Sequence, residues 1–106
     1  MAVDAKSAQL QIGLPKEHAM NEHRLLLTPE SVQLLVAQGH EIVVETGAGT
    51  LAGFPDALYA NAGATVALGP EEVFQCAIIA KVAPPTVAEI SMMRGGQTLI
   101  MISRTS

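Results

Sequence analysis

Residues 9–44 read QLQIGLPKEHAMNEHRLLLTPESVQLLVAQGHEIVV, and this stretch decides the fold. The alternation of polar and apolar residues over Gln9–Leu14 predicts a first strand. Thr28, which a proline follows, has the features of a helix N-cap, and Gly39 is placed to end that helix. Ile42–Val44 is a β-branched run without polar alternation, which is typical of a strand covered on both faces. The stretch therefore predicts strand, helix and strand, with the two strands parallel.

The rest of the chain repeats this alternation. The further predicted elements are a helix over 55–62, a strand over 64–66, a helix from residue 70, a strand over 76–82, a helix over 86–93 and a buried strand over 98–102. Four or five strands alternating with helices predict an α/β fold with an open, mainly parallel sheet flanked by helices. The residues predicted to face the core are Val32, Leu35 and Val36, widened by Leu34 and Ala37, in the first helix, and Val87, Ile90 and Met93 in the last.

Composition excludes several classes of partner. The 106 residues include only six Lys and Arg, carry a formal charge of −4 and are 49% hydrophobic. Nucleic acids and anionic membranes reward clustered positive charge, so neither is expected as a partner. The N-terminus lacks the pattern of a signal peptide, no apolar run approaches a membrane span, and the single Cys76 favours a buried thiol in a reducing compartment. We therefore expect a cytoplasmic protein.

The two ends of the chain give further expectations. Residues 1–8 are predicted to be a disordered tail and residues 9–106 one domain. After the last apolar strand only Ser103–Ser106 follows, with no helix to cover the edge of the sheet. Complete domains usually protect such an edge, so the domain is expected to be incomplete at its C-terminus.

Two sets of residues are interpreted as structural rather than functional. Gly47–Gly53 resembles a dinucleotide-binding fingerprint, but its third glycine is one residue late and no acidic residue follows at the usual distance. It is predicted to be a turn and not a cofactor site. His18, His23 and His40 lack metal-ligand spacing and are interpreted as solvated loop residues, so no metal site is predicted.

Two cations are candidates for a binding site. Lys81 closes the predicted strand over 76–82, at the end of the sheet where open α/β folds bind ligands. Arg24 lies in the charged loop after the first strand, and its guanidinium can bind a carboxylate through two parallel hydrogen bonds. In a chain with few cations, the pair predicts a receptor for a small anion, with Lys16 as a further candidate.

A series of motifs also resembles a known family. The motifs are, in this order, GLPKE, NEHR, LTPESV, GHEIVVETGAG, GFPD, AGA and IIAKVAPPTVAEI, and the resemblance runs from about Gln11 to Ile102. They resemble the N-terminal domain shared by alanine dehydrogenase and the α subunit of pyridine nucleotide transhydrogenase. The segment after Pro84 and the run GQTLI look closer to one branch of alanine dehydrogenases.

The resemblance implies a Rossmann-like substrate domain of an NAD enzyme, with NAD bound by a separate domain that this chain does not contain. It implies the conversion of L-alanine, NAD and water into pyruvate, ammonia and NADH by a homo-oligomer. In the family, the arginine matching Arg24 binds the substrate carboxylate, and the lysine matching Lys81 contacts the substrate and takes part in acid–base steps. Arg104 stands where the family carries a catalytic histidine, and an arginine can bind an anion but cannot shuttle a proton near neutral pH.

The sequence is compatible with three functions. The first is the N-terminal part of an alanine dehydrogenase, and the 106 residues by themselves are expected to be inactive. The second is the N-terminal part of the transhydrogenase α subunit. The third is a non-catalytic module that binds a small carboxylate or associates with itself.

Overall fold

The computed structural model describes residues 9–18 and 27–101. Their strands and helices alternate along the chain, as predicted: β1 (Gln11–Leu14), α1 (Pro29–Ala37), β2 (Glu41–Glu45), α2 (Asp56–Asn61), β3 (Thr65–Ala67), α3 (Pro70–Val73), β4 (Ile78–Lys81), α4 (Val87–Met92) and β5 (Thr98–Met101). A single turn of 3-10 helix, Thr50–Ala52, lies between β2 and α2. The predicted bounds are close to these, although β4 is shorter than predicted because Cys76 belongs to the turn that leaves α3. The predicted tail over 1–8 lies outside the described residues.

The five strands form one sheet in the order β3–β2–β1–β4–β5, and all the neighbouring pairs are parallel. β1 is the central strand, where Gly13 is in register with Val43 of β2 and with Ile79 of β4. The predicted α/β fold with an open sheet flanked by helices is confirmed. None of the helices in residues 27–101 has the length and apolarity that crossing a lipid bilayer requires.

The start of α1 is built as its sequence predicts. The Thr28 hydroxyl accepts a hydrogen bond from the Ser31 N–H at 3.2 Å, and Pro29 occupies the first helical position. Gly39, with φ of +98°, turns the chain after the helix, a conformation that a residue with a Cβ rarely adopts. The short connection then delivers the chain directly into β2.

Alternate strand residues face two separate cores, one on each side of the sheet. Ile12, Leu14 and Val44 pack under α1 and α2 together with Tyr59, which is completely buried. The opposite face carries a second group under α3 and α4: Val43, Ala67, Val73, Phe74, Cys76 and Ile79. Helices therefore cover both faces of the sheet, which explains why β2 has no exposed alternation.

Gly13 allows α3 to approach the central strand closely. A Cβ at this position would lie 2.5 Å from the carbonyl oxygen of Val73 and 3.3 Å from the Cβ of Cys76. Real Cβ atoms do not approach a carbonyl so closely, so only glycine permits this packing.

Cys76 is buried, as the sequence predicts. Burial raises the pKa of its thiol to about 11, and the nearby carboxylates of Glu41 and Glu72 act in the same direction. Of the three histidines, His18 is exposed, whereas His40 is half-buried and its Nδ1 accepts a hydrogen bond from the Leu10 N–H at 3.1 Å. His40 is therefore a partly solvated loop residue that also accepts a backbone hydrogen bond, and His23 lies outside the described residues.

Two predictions for α1 are wrong. Val32 is buried and Leu35 and Val36 pack partly against the core, but Leu34 is 63% exposed and Ala37 is also exposed. The helix is covered along a narrow stripe, since its main contacts within the described residues are with β2 and α2. The wider apolar face that the sequence predicts does not form.

The predictions for the last two elements are wrong in part, although Met93 packs partly against the core, as predicted. Val87 is 85% exposed and Ile90 is 54% exposed, because α4 turns Glu89 and Met92 inward instead. β5 is an edge strand rather than a buried one, since among the described residues only β4 pairs with it. Its Ile100 and Met101 are largely exposed.

Candidate functional site

The strand order creates a topological switch point beside β1. The chain moves from β1 through β2 to β3 on one side, and it places β4 and β5 on the other side. In open α/β sheets, the loops that leave two such strands diverge and open a crevice at their carboxyl ends, where ligands bind. The crevice in this protein lies beyond Leu14 of β1 and Lys81 of β4.

Lys81 is the buried cation at this crevice. It is the last residue of β4, on the same face of the sheet as Ile79, and it is only 2% exposed. Its Nζ lies 3.0 Å from Oε1 of Glu17 and 3.6 Å from Oε1 of Glu89. The two carboxylates compensate the charge, without which burial of an ammonium would be costly.

Glu17 connects the loop after β1 to the loop after β4. Its Oε2 accepts the Val82 N–H at 2.8 Å, and its Oε1 accepts the Ala83 N–H at 3.3 Å in addition to the Lys81 ammonium. These contacts join residues about 65 positions apart in sequence. One side chain therefore holds both strand ends of the crevice together.

Glu89 approaches Lys81 from α4. It forms a capping box with Thr86: the Thr86 N–H donates to Oε1 of Glu89 at 2.9 Å, and the Glu89 N–H donates to the Thr86 hydroxyl at 3.1 Å. The box fixes the start of α4 and holds the Glu89 carboxylate against the ammonium. This explains why Glu89, rather than Val87 or Ile90, faces inward.

A cleft of about 170 Å³ opens beside these charges, and we call it the β1–β4 cleft. Its lining residues are Glu17, His18, Lys81, Ala83, Pro84, Thr86 and Glu89. The volume is below that of typical drug-sized pockets and suits a small polar molecule. His18 is the last described residue before the segment 19–26, and Arg24 lies in that segment, outside the described residues.

The electrostatics of the cleft limit its chemistry. Within the described part of the lining, two glutamates face one lysine, so the formal charge is −1 when all three are ionised. An ammonium has three N–H donors, and it can polarise a carbonyl or imine next to the cleft. Strong binding of a carboxylate would require a further cation, which is the role that the sequence assigns to Arg24.

The other predicted site residues lie elsewhere or outside the described part. Lys16 is exposed and its side chain passes 3.6 Å from the position that a Cβ of Gly47 would take, on the β2 side of β1. Its backbone N–H donates to Glu45 at 2.8 Å. The structure therefore does not bring Lys16 into the β1–β4 cleft, and Arg24 and Arg104 are not among the described residues.

The Gly47–Gly53 loop is a turn, as predicted, and it does not suit a dinucleotide. Gly47 and Gly53 have φ of +83° and +92°. The Gly47 N–H donates to Oδ1 of Asp56 at 2.9 Å, and the Thr46 hydroxyl donates to the same carboxylate. A carboxylate therefore occupies the position where the pyrophosphate of NAD would need N–H donors. We find no fit for NAD at this turn.

The sequence patterns did not single out Glu17 or Glu89. For Glu89 a local signal exists, because the Thr86-x-x-Glu89 spacing before an apolar residue is typical of a capping box. Glu17 has no such signal, since its partners are about 65 residues away. Within residues 9–18 and 27–101, no group of three or more His, Cys, Asp or Glu side chains could hold a metal ion.

The fold and this cleft define a Rossmann-like α/β domain with a candidate ligand site at its topological switch point. The chain belongs to the family described as "Alanine dehydrogenase/PNT, N-terminal domain", whose model matches residues 13–106. The family resemblance predicted from the sequence is thereby confirmed.

Individual relatives come from both branches of the family. The chain is 41% identical over 88 residues to an alanine dehydrogenase of Bacillus subtilis, covering 83% of this chain and 23% of that protein. It is 45% identical over 92 residues to an NAD(P) transhydrogenase subunit alpha of Cereibacter sphaeroides, covering 86% of this chain and 18% of that protein. A solved L-alanine dehydrogenase superposes with a TM-score of 0.83 at 39% identity, over 87% of this chain and 26% of that one. The chain thus spans about a quarter or less of these proteins.

Proposed function

We propose that the chain is the substrate-side domain of an NAD-dependent alanine dehydrogenase. The full reaction converts L-alanine, NAD and water into pyruvate, ammonia and NADH. The observation that carries the proposal is the buried Lys81 ammonium at the β1–β4 cleft, at the switch point where this fold binds ligands. The similarity to alanine dehydrogenases supports the choice of reaction.

In this proposal two cations divide the work on the substrate. The Lys81 ammonium donates a hydrogen bond to the carbonyl oxygen of pyruvate, and it exchanges a proton as the carbinolamine forms or breaks down. Arg24 binds the substrate carboxylate through its planar guanidinium. Attachment at two separate points fixes the orientation of the α-carbon, which lowers the entropic part of the barrier.

The cofactor and the setting of the reaction are part of the same proposal. NAD, which accepts the hydride, is bound by a separate Rossmann domain rather than by the Gly47–Gly53 turn, and these 106 residues alone do not turn over substrate. Arg104 and Lys16 are further candidates for anion binding. We propose a cytoplasmic homo-oligomer as the working form.

The test is the kinetics of the full-length gene product with L-alanine and NAD, followed through NADH absorbance. Replacement Arg24→Ala removes a charged, two-point hydrogen bond, and it is expected to raise the KM for alanine about 10- to 100-fold. Arg94→Ala is the matched control, because the Arg94 side chain donates to the Gln75 carbonyl, outside the lining of the cleft. Alanine kinetics that are unchanged in Arg24→Ala contradict the proposal.

The second candidate is the α subunit of a transhydrogenase, which passes hydride between NAD(H) and NADP(H) with a membrane partner. It is favoured by the 45% identity to the Cereibacter sphaeroides subunit, against 41% for the Bacillus subtilis dehydrogenase. Arg104, in place of a proton-shuttling histidine, also favours it. Hydride exchange with an NADP analogue after addition of the membrane subunits, together with no alanine oxidation, decides for this candidate.

A binding experiment separates both enzymes from a non-catalytic module. Calorimetric titration of the full-length gene product with pyruvate measures the carboxylate site without turnover. Binding in the absence of either hydride-transfer activity supports a free-standing carboxylate receptor.

A further inference from the structure

Glu17 uses both of its carboxylate oxygens in ways that the proposed function does not explain. Its side chain is 7% exposed, and it accepts hydrogen bonds from the Val82 N–H, the Ala83 N–H and the Lys81 ammonium. Glu17 lies in the loop after β1, whereas all three donors lie at the end of β4. The contact therefore crosses the switch point at which the cleft opens.

Loop closure alone does not account for this arrangement. Two other carboxylates at the same end of the sheet hold backbone N–H groups: Glu45 accepts the Lys16 N–H, and Asp56 accepts the Gly47 N–H. Within residues 9–18 and 27–101, neither of them forms a salt bridge. Glu17 differs because its Oε1 is shared between a backbone donor and the ammonium. The position of Nζ is thereby coupled to the backbone at 82–83.

The Glu89 carboxylate interacts more weakly with the Lys81 ammonium than Glu17 does. Glu89 lies 3.6 Å from Nζ, beyond the usual range of a hydrogen bond, and the same oxygen already accepts the Thr86 N–H. Its contribution is mainly charge compensation. The 3.0 Å contact to Glu17 is therefore the one that sets the direction of the lysine side chain.

We propose that Glu17 is a positioning residue for Lys81, which holds the ammonium at the β1–β4 cleft with N–H donors available to the substrate. The expected effect of Glu17 on catalysis rests on the function proposed above. Its effect on the position of the Lys81 ammonium does not. The charge and the length of the side chain both matter. Glutamine at position 17 presents an amide donor to the ammonium or to the backbone N–H groups, and aspartate is one methylene too short to reach both.

Kinetics of the full-length gene product with L-alanine give the first test. Glu17→Gln is expected to lower kcat about 100-fold, as for a catalytic group displaced by about 1 Å. The KM should change less than about threefold, because carboxylate binding by Arg24 persists. Glu45→Gln is the matched control: Glu45 is a buried glutamate at the end of the neighbouring strand, bonded to a backbone N–H. A kcat in Glu17→Gln equal to that of Glu45→Gln, after correction for the folded fraction, overturns the proposal.

Nuclear magnetic resonance of the lysine ammonium groups gives a test without substrate. In the wild-type protein, a buried and hydrogen-bonded Lys81 should give a slowly exchanging ¹H–¹⁵N signal, assigned through its loss in Lys81→Met. The signal should be lost or broadened in both Glu17→Gln and Glu17→Asp and retained in Glu45→Gln. A Lys81 signal that is unchanged in Glu17→Gln overturns the proposal.

The two tests separate the failure of this inference from the failure of the proposed function. If the full-length protein has no alanine activity but the Glu17 variants lose the Lys81 signal, the positioning role is supported and the proposed dehydrogenase function is contradicted. If the protein oxidises alanine and Glu17→Gln leaves that activity unchanged, the dehydrogenase function is supported and the positioning role is contradicted. If the Glu17 variants do not fold, the wild-type protein itself provides the test. Scalar coupling between the Lys81 Nζ and the Glu17 carboxyl carbon, across their hydrogen bond, supports the proposal. A sharp Lys81 signal without that coupling overturns it.

Discussion

The two sides of the central strand β1 are built differently. Towards β2 and β3, an apolar core under α1 and α2 includes the completely buried Tyr59, and a turn held by Asp56 closes the strand end. Towards β4 and β5, the strand end buries a lysine between two glutamates. Burial of apolar groups stabilises a fold, whereas a buried ion pair contributes little net stability. We infer that the apolar β2 side contributes more to the stability of the domain than the charged β4 side, which contains the candidate site.

The largest expected effect comes from the strand that both sides share. Gly13→Ala places a Cβ 2.5 Å from the Val73 carbonyl oxygen, so α3 must move away from the sheet. We expect a loss of about 3 kcal/mol or more in the free energy of unfolding, at the upper end for overpacked cores. Urea unfolding followed by circular dichroism measures it.

Gly53→Ala is the control for this prediction. Gly53 has φ of +92°, but no neighbouring group lies within 4 Å of the place that a Cβ would take, so alanine meets backbone strain without a clash. The expected cost is about 1 kcal/mol. Equal costs for the two variants would show that α3 does not pack on β1 as closely as the structure has it.

The second effect tests the charged side. Lys81→Met leaves Glu17 and Glu89 buried without their cation, and removing one partner of a buried pair typically costs about 3 kcal/mol. The exposed Lys16 is the matched control, and Lys16→Met is expected to change the free energy of unfolding by less than about 0.5 kcal/mol. If the two lysine variants are equally stable, the charges at the β4 end are not buried in solution.

The third effect tests the apolar side. The Tyr59 hydroxyl donates to the Leu27 carbonyl oxygen at 2.8 Å, and Tyr59→Phe leaves that oxygen without this donor, at a cost of about 1.5 kcal/mol. Burial also raises the pKa of Tyr59 to about 12 from 10.0. Because the folded state holds the proton more tightly, this contribution is complete below pH 10.0 and is lost as the pH rises towards the folded value.

Ultraviolet titration provides the independent measurement, since Tyr59 is the only tyrosine in the chain. A midpoint near the ordinary value of 10.0 in protein that is still folded would show that this side of the sheet is open to water.

The same division explains what the sequence could predict. On the β2 side the signals are local: Thr28 caps the helix that its own residues form, and Gly47 turns the chain directly after β2. Such signals act within a few residues, so the local sequence is sufficient to predict the helices and strands and their order. Arg24 and Lys81 were candidates from the residues alone, since each lies at or after the end of a predicted strand. The resemblance to the family added their roles, which stay predictions.

On the β4 side the decisive contacts are distant in sequence. The partners of Glu17 are about 65 residues away, and only the strand order brings them together. The prediction that Val87 and Ile90 face inward is also wrong, because the pairing of Glu89 with Lys81 outweighs their apolar character. Periodicity records hydrophobicity and not ion pairs, so a helix of only six residues can be turned by one buried charge.

The smallest effect compares the two carboxylates that hold strand ends. Hydrogen bonds from the Thr46 hydroxyl and the Gly47 N–H lower the pKa of Asp56 below 3.8. Since the folded pKa is the lower one, this stabilisation is complete well above pH 3.8 and is lost as the pH falls through the folded value. Asp56→Ala should therefore cost about 1 kcal/mol at neutral pH, a modest value because water reaches the carboxylate, and the difference from wild type should disappear in acid. Asp56→Asn keeps one acceptor oxygen without the charge, and its cost should be smaller and nearly independent of pH. A cost of Asp56→Ala that persists unchanged into acid would mean that packing of the turn, and not the carboxylate, holds the end of β2. The contrast with the ion-paired Glu17 would then lie in geometry rather than in charge.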